Sequence, residues 1–216
     1  MRLTIDNLKK ESVIFSKLEA SYNNSLLYGT TDGKKIATDF EHRFKNHLLQ
    51  SGYEFNSGNS SNGIDFPDLN VDIKTTSIIQ PQSSSPFKSA RQKIYGLGYD
   101  LLVFVYNKID NPITNSSILN IQHLIYIDKN RTADFQLTTM INNALDNKAN
   151  EDDIVSILFD KNLPIDDIEA YNLAKEILYN RPNIGYLTIS NTLQWRLQYG
   201  RVIAESNNLP DIDKLL

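Results

Sequence analysis

The sequence predicts a mixed α/β fold, a mixed central β-sheet flanked by helices, with a helical C-terminal part. Three observations predict it. Apolar residues recur at every fourth position over 34–50; strand-like patterns follow at 63–77, 101–106 and 121–127; and from about Ala133 the chain reads as helices broken by Pro164 and Pro182. The 216 residues suffice for a substantial apolar core, and the short polar stretches at 56–63 and 80–86 read as loops. The expected organisation is a core over 1–132, N-terminal helices included, with a helical subdomain over 133–216 packed on it.

Taken in order, residues 6–22 read as a first helix, with Asp6 as N-cap and Leu8, Val13, Phe15 and Leu18 roughly on an apolar side. In the second, 34–50, Ile36, Phe40, Phe44 and Leu48 form one stripe, and Gly52 stands where a glycine would end the helix. Pro67-Asp68-Leu69-Asn70 is a turn signal. Side chains alternate along the strand that follows, so Val71 and Ile73 face one way, Asp72 and Lys74 the other. Residues 87–97 suit a short helix closed by Gly96 and Gly98, and the apolar run 101–106 suits a buried strand. Another strand is expected at 121–127, and a final helix after Ser190 as its N-cap.

Composition narrows the chemistry. The absence of cysteine excludes disulfides, thiolate metal sites and a cysteine nucleophile. The first thirty residues lack the apolar run of a signal peptide, and no apolar run approaches bilayer length, so a cytoplasmic protein without membrane contact is expected. A formal net charge of -4 argues against a generally basic surface, yet a single cleft with local basic groups could still hold nucleic acid. His42, His47 and His123 are not in a zinc-helix spacing, and residues 29–35 lack the phosphate-loop spacing.

The segment 64–76 carries acidic side chains and a lysine on two strands joined by a tight turn. Carboxylates suit a hard divalent cation, which can polarise a phosphodiester and make water more acidic. A lysine two residues from a carboxylate, on the same face, can hold that water and offset developing negative charge.

Asp65-Phe66-Pro67-Asp68-Leu69-Asn70-Val71-Asp72-Ile73-Lys74-Thr75 resembles the active-site hairpin of the PD-(D/E)xK nuclease superfamily. The version it most resembles is that of the mismatch-repair strand-nicking endonuclease and its restriction-enzyme relatives, in which an aspartate stands seven positions before an acidic-x-lysine. The resemblance implies a restriction-endonuclease-like core, magnesium held by Asp65, Asp72 and the backbone carbonyl of Ile73, and a Lys74 that serves the attacking water. It also implies a helical glutamate near the site, and Glu41 occupies the matching position. Asp72 stands where glutamate is commoner, and the gap from Glu41 to Asp65 is longer than in the repair enzyme. Plainer readings stand beside these: Glu41 could pair with Lys45 one helical turn on, and Asp68, a turn residue, could instead be the aspartate of a Pro-Asp motif.

Candidate DNA contacts lie in two places. After the motif, Gln82, Ser84, Lys88, Arg91 and Gln92 offer basic, amide and hydroxyl groups, with Lys88, Arg91, Gln92 and Tyr95 sharing one face if helical. On the expected final helix, Gln194, Gln198 and Arg201 would share a face. The expectation is a type II restriction endonuclease: a magnesium-dependent enzyme that cuts double-stranded DNA at a specific short sequence, leaves 5′-phosphate ends and acts as a homodimer. A strand-nicking repair endonuclease and a non-catalytic DNA-binding regulator are the alternatives.

Overall fold

The computed structural model describes residues 1–58, 64–86, 88–190, 195–206 and 208–216, without the side chain of Trp195. The described residues are mixed α/β, with a central mixed sheet and flanking helices, as expected. They fall into two compact units interleaved along the chain: Met1–Ser83 with Asp100–Ile127 and Glu205–Leu216, and Ser84–Tyr99 with Asp128–Ala204.

The first unit is built on β1 (Val71–Ser77), β3 (Asp100–Asn111), β4 (Ser116–Ile127) and β7 (Ile212–Lys214), in the order β1-β3-β4-β7. β1 runs parallel to β3, with Val71 opposite Asp100 and Ser77 opposite Tyr106; β3–β4 and β4–β7 are antiparallel. β1 is therefore an edge strand, and half of its backbone groups point away from the sheet. Its helices are α1 (Ile5–Glu19) and α2 (Gly33–Gln50). The expected α2 stripe, Ile36, Phe40, Phe44 and Leu48, is buried. Phe15 of α1 meets Phe40 and Phe44 with ring centroids 5.2 Å apart, and these two pack on Phe104 of β3 at 4.8 and 5.4 Å. This aromatic wedge fixes α2 against the sheet and so sets where its other face lies.

Gly52 ends α2 as expected: it has φ +81°, and its N–H and that of Tyr53 donate back to the Leu49 and Leu48 carbonyls. α1 starts differently. Thr4 is the N-cap, accepting from the Asn7 N–H, while Asp6 lies in the first turn, where its charge suits the helix dipole; the helix stops at Glu19, short of residue 22.

The second unit contains α3 (Arg91–Tyr95), α4 (Phe135–Asp146), α5 (Glu151–Asp160), α6 (Asp167–Tyr179) and most of α7 (Gly200–Glu205). α4–α6 bear out the helical reading of this stretch, with Pro164 and Pro182 outside the helices. A small sheet has the order β2-β6-β5, from β2 (Gln82–Ser85), β6 (Trp195–Gln198) and β5 (Thr188–Ile189). α3 is shorter than expected: it begins at Arg91, so Lys88 lies outside it, and it stops at Tyr95 because Gly96 follows at φ +90°. Of the helix expected after Ser190, residues 191–194 lie outside the described residues, and 195–198 are a strand. Leu197 and Tyr199 are fully buried while Arg196 and Gln198 are exposed, a period of two rather than 3.6, and Gly200 opens a separate short helix. Among the described residues, no helix is long and apolar enough to cross a membrane.

Candidate active site

The local fold that builds the site is a hairpin. Phe66 and Val71 exchange backbone hydrogen bonds of 2.9 and 3.2 Å around the loop 67–70, which closes on Asn70 at φ +56°. Asparagine tolerates this left-handed conformation. The buried rings of Phe66 and Phe44 meet edge-on at 6.5 Å, which anchors the hairpin beneath α2. Asp65, one residue before Phe66, is thus brought back beside β1, where one carboxylate oxygen accepts the Ile73 N–H at 2.9 Å.

A cleft of about 530 Å³ results, lined by Glu41, Asp65, Asp72, Ile73 and Lys74 among others. The structure therefore gathers the four expected acidic and basic side chains, and Ile73, in one place. Glu41 comes from α2, Asp65 from the hairpin, and Asp72 and Lys74 from the edge strand. Asp68 is outside this cleft; it is exposed and accepts from Asn56 Nδ2.

Charge is concentrated here beyond what its ion pairs balance. Lys74 Nζ lies 2.6 Å from Asp72 Oδ2, although that buried oxygen has no partner of hydrogen-bond geometry among the described residues. Burial, partly offset by the Lys74 charge and reinforced by Asp65, pushes the Asp72 carboxyl up to about 7. Burial also raises Glu41, with the Asp65 carboxylate adding to the effect and Lys45 opposing it. Asp65 goes the other way: burial would raise it, but hydrogen bonds with Glu41, Lys45 and Asp72 hold it below the ordinary range. A group of carboxylates that takes up protons this readily is one that a cation would stabilise.

The donors fit a hard divalent ion in kind: carboxylate oxygens and, on the open edge of β1, a backbone carbonyl. Among the described residues, no three acidic or histidine side chains converge as a closed ligand cage. Magnesium does not require one, because it commonly keeps several waters and binds through one or two carboxylates plus phosphate oxygens.

Sequence reasoning took Lys45 only as a partner for Glu41, set His42 aside with the other histidines and did not single out Ser57; all three line the cleft. Lys45 Nζ is 2.6 Å from Glu41 Oε1 and 2.8 Å from Asp65 Oδ1. The available signal was its position one turn after Glu41, which puts both on one helix face.

The expected DNA contacts are less gathered. Gln82 and Ser84 are on β2, and the Gln82 N–H donates to Thr76 Oγ1 at 3.0 Å. Lys88 is exposed; Arg91 is exposed, with Nε 3.0 Å from Glu176 Oε1; Gln92 Nε2 donates to the Leu97 carbonyl at 3.0 Å. Gln198 is exposed on β6, and Arg201 on α7 stacks 3.6 Å over the Phe135 ring, so these two do not share a helix face. Gln194 lies outside the described residues.

Comparison with known proteins gives the family. The model of the type II restriction enzyme NspV family matches residues 2–214. The chain is 59% identical over 201 residues to the type II restriction enzyme NspV of Nostoc sp. (strain ATCC 29411 / PCC 7524), covering 93% of this chain and 91% of that protein. No solved structure matches it.

Proposed function

Because the chain belongs to the type II restriction enzyme NspV family, we propose that it is a divalent-metal-dependent endonuclease that cuts double-stranded DNA at one short sequence. The observation that carries the catalytic reading is the convergence of Glu41, Asp65, Asp72 and Lys74 in one cleft, with Asp65 tied to the Ile73 backbone. Asp65, Asp72 and the Ile73 carbonyl would hold magnesium, with Glu41 completing the set from α2. Magnesium, when bound, supplies a Lewis acid for a phosphate oxygen and increases the acidity of water.

The chain's own groups do the rest. Lys74 Nζ, placed by β1 beside Asp72, orients the attacking water and faces the negative charge that develops on phosphorus. As a ligand of the ion Asp72 would be held ionised, and the proton that the water loses passes to solvent. In-line attack then leaves a 5′-phosphate and a 3′-hydroxyl. A homodimer would cut both strands of a palindrome, since two-fold protein symmetry matches two-fold site symmetry. Gln82, Ser84, Lys88, Arg91, Gln92, Gln194, Gln198 and Arg201 remain the candidates for DNA contact, and the enzyme would act in the cytoplasm, where cellular DNA is exposed to it.

The test is incubation of wild type, Asp72→Ala and Lys74→Ala with unmethylated phage DNA in magnesium and in EDTA. Discrete linear fragments, lost in EDTA and in both variants, are expected. Nicked product alone would indicate a strand-nicking enzyme, and retarded but intact DNA in every lane would indicate a binding protein.

A further inference from the structure

The cleft holds two ammonium groups, and only Lys74 belongs to the acidic-x-lysine pattern. The second, Lys45, comes from α2 with its side chain 15% exposed and bridges two carboxylates on different elements, Glu41 and Asp65. The remaining oxygen of Asp65 is committed to the Ile73 N–H. A cation that takes Asp65 Oδ1 therefore meets an ammonium already on that oxygen.

Building on the nuclease reading, we infer that Lys45 is a resident cation that keeps Glu41 and Asp65 together in the metal-free protein and yields Asp65 when a divalent ion binds. Glu41, one turn away on the same helix, retains it. Lys45 is then a positioning residue.

Its charge has two opposed consequences. Once an incoming cation holds Glu41, Asp65 and Asp72 ionised, their three charges against those of Lys45 and Lys74 leave one net negative charge before the ion's own is counted. A divalent ion turns this into one net positive charge, which a single phosphodiester neutralises. Without Lys45, the ion alone neutralises the cleft and leaves nothing over to draw the phosphate. Lys45 thus weakens metal binding in the absence of DNA and couples it to the arrival of substrate.

The experiment is a titration of the full chain with Mn2+, followed by electron paramagnetic resonance without DNA, for wild type, Lys45→Met and Lys45→Arg. Lys45→Met is expected to bind Mn2+ about tenfold more tightly, because a like charge a few ångströms from the ion has gone. Lys45→Arg, which keeps the charge, is expected to stay near wild type. In EDTA, Lys45→Met should melt at a lower temperature than wild type and gain more from added Mn2+. A Kd for Lys45→Met that is unchanged or weaker overturns the inference, since a merely structural lysine would lower the melting temperature and leave metal affinity alone. Should Lys45→Met fail to fold, Lys45→Gln is titrated against the same criteria. A wild type that neither binds Mn2+ nor cuts DNA would instead overturn the nuclease reading itself.

Discussion

Asp65 accepts the backbone N–H of Ile73 at 2.9 Å, so a hairpin carboxylate is fastened to the open edge of the strand that carries Asp72 and Lys74. In a strand the N–H and C=O of one residue point to the same edge, which leaves the Ile73 carbonyl on Asp65's side. Asp65→Asn keeps an oxygen for that N–H and should fold normally, but it removes a charge from the proposed metal position. Cleavage should fall by about a hundredfold or more, with only a modest fall in the urea midpoint, because Lys45 loses one of its two carboxylate partners. Asp65→Ala should lose activity and also about 1–3 kcal/mol of stability, because a buried donor is orphaned. Equal activity in Asp65→Asn and wild type would remove Asp65 from the mechanism.

The second prediction concerns pH. The Asp72 carboxyl is raised from the ordinary 3.8 to about 7 in the folded state, so folding favours its protonated form. Its stabilising effect is complete below pH 3.8 and is lost as pH rises to 7, a change on the order of 4 kcal/mol. Asp65 has the opposite sign: its lowered value adds stability above the ordinary range that is lost only in stronger acid. In EDTA, the melting temperature should therefore fall between pH 5 and pH 7, and Asp72→Asn should flatten the profile. A wild-type profile that rises over that interval would contradict the burial argument. Added Mg2+ should restore stability at pH 7, because a cation replaces the proton.

The catalytic hairpin was legible because its signals are local. The Pro67–Asn70 turn, the alternation from Val71 to Lys74 and the spacing from Asp65 to Asp72 all lie within a few residues. The α2 stripe and its glycine end were legible for the same reason. Lys45 was only half legible: its pairing with Glu41 follows from helical spacing, whereas its contact with Asp65 depends on how the Phe44–Phe66 contact sets the hairpin against α2. The final helix was misread because Gln194, Gln198 and Arg201 fit a 3.6 period as polar residues, while burial of Leu197 and Tyr199 imposes a period of two. Polar residues alone cannot choose between the two; the buried ones can.

Phe44 tests whether the aromatic wedge positions the site. It is fully buried, touches the rings of Phe15, Phe66 and Phe104, and stands between Glu41 and Lys45 on α2. Phe44→Ala should cost about 3–5 kcal/mol by urea denaturation. Phe44→Leu, with a smaller void, should lose less stability yet still slow cleavage under conditions where it is fully folded, because α2 can shift towards the gap. Full activity in Phe44→Leu would mean that the helix is held by other contacts.

The candidate DNA contacts differ in how much charge each has left for a phosphate. Lys88 is exposed, whereas the Arg91 guanidinium is already shared with Glu176, whose carboxylate lies within 3.1 Å of it. In the Asp65→Asn background, where DNA should remain intact, Lys88→Ala should weaken duplex binding for all sequences and reduce the salt slope of log K by about one. Arg91→Ala should change the slope less, because its removal leaves Glu176 unpaired rather than freeing a phosphate counterion. Gln198→Ala should behave differently from both: an amide that reads a base edge lowers affinity for the cognate site by about 1–3 kcal/mol and leaves the salt slope alone. Fluorescence anisotropy against duplexes at several salt concentrations separates these outcomes. An unchanged slope in Lys88→Ala would take Lys88 out of the phosphate path.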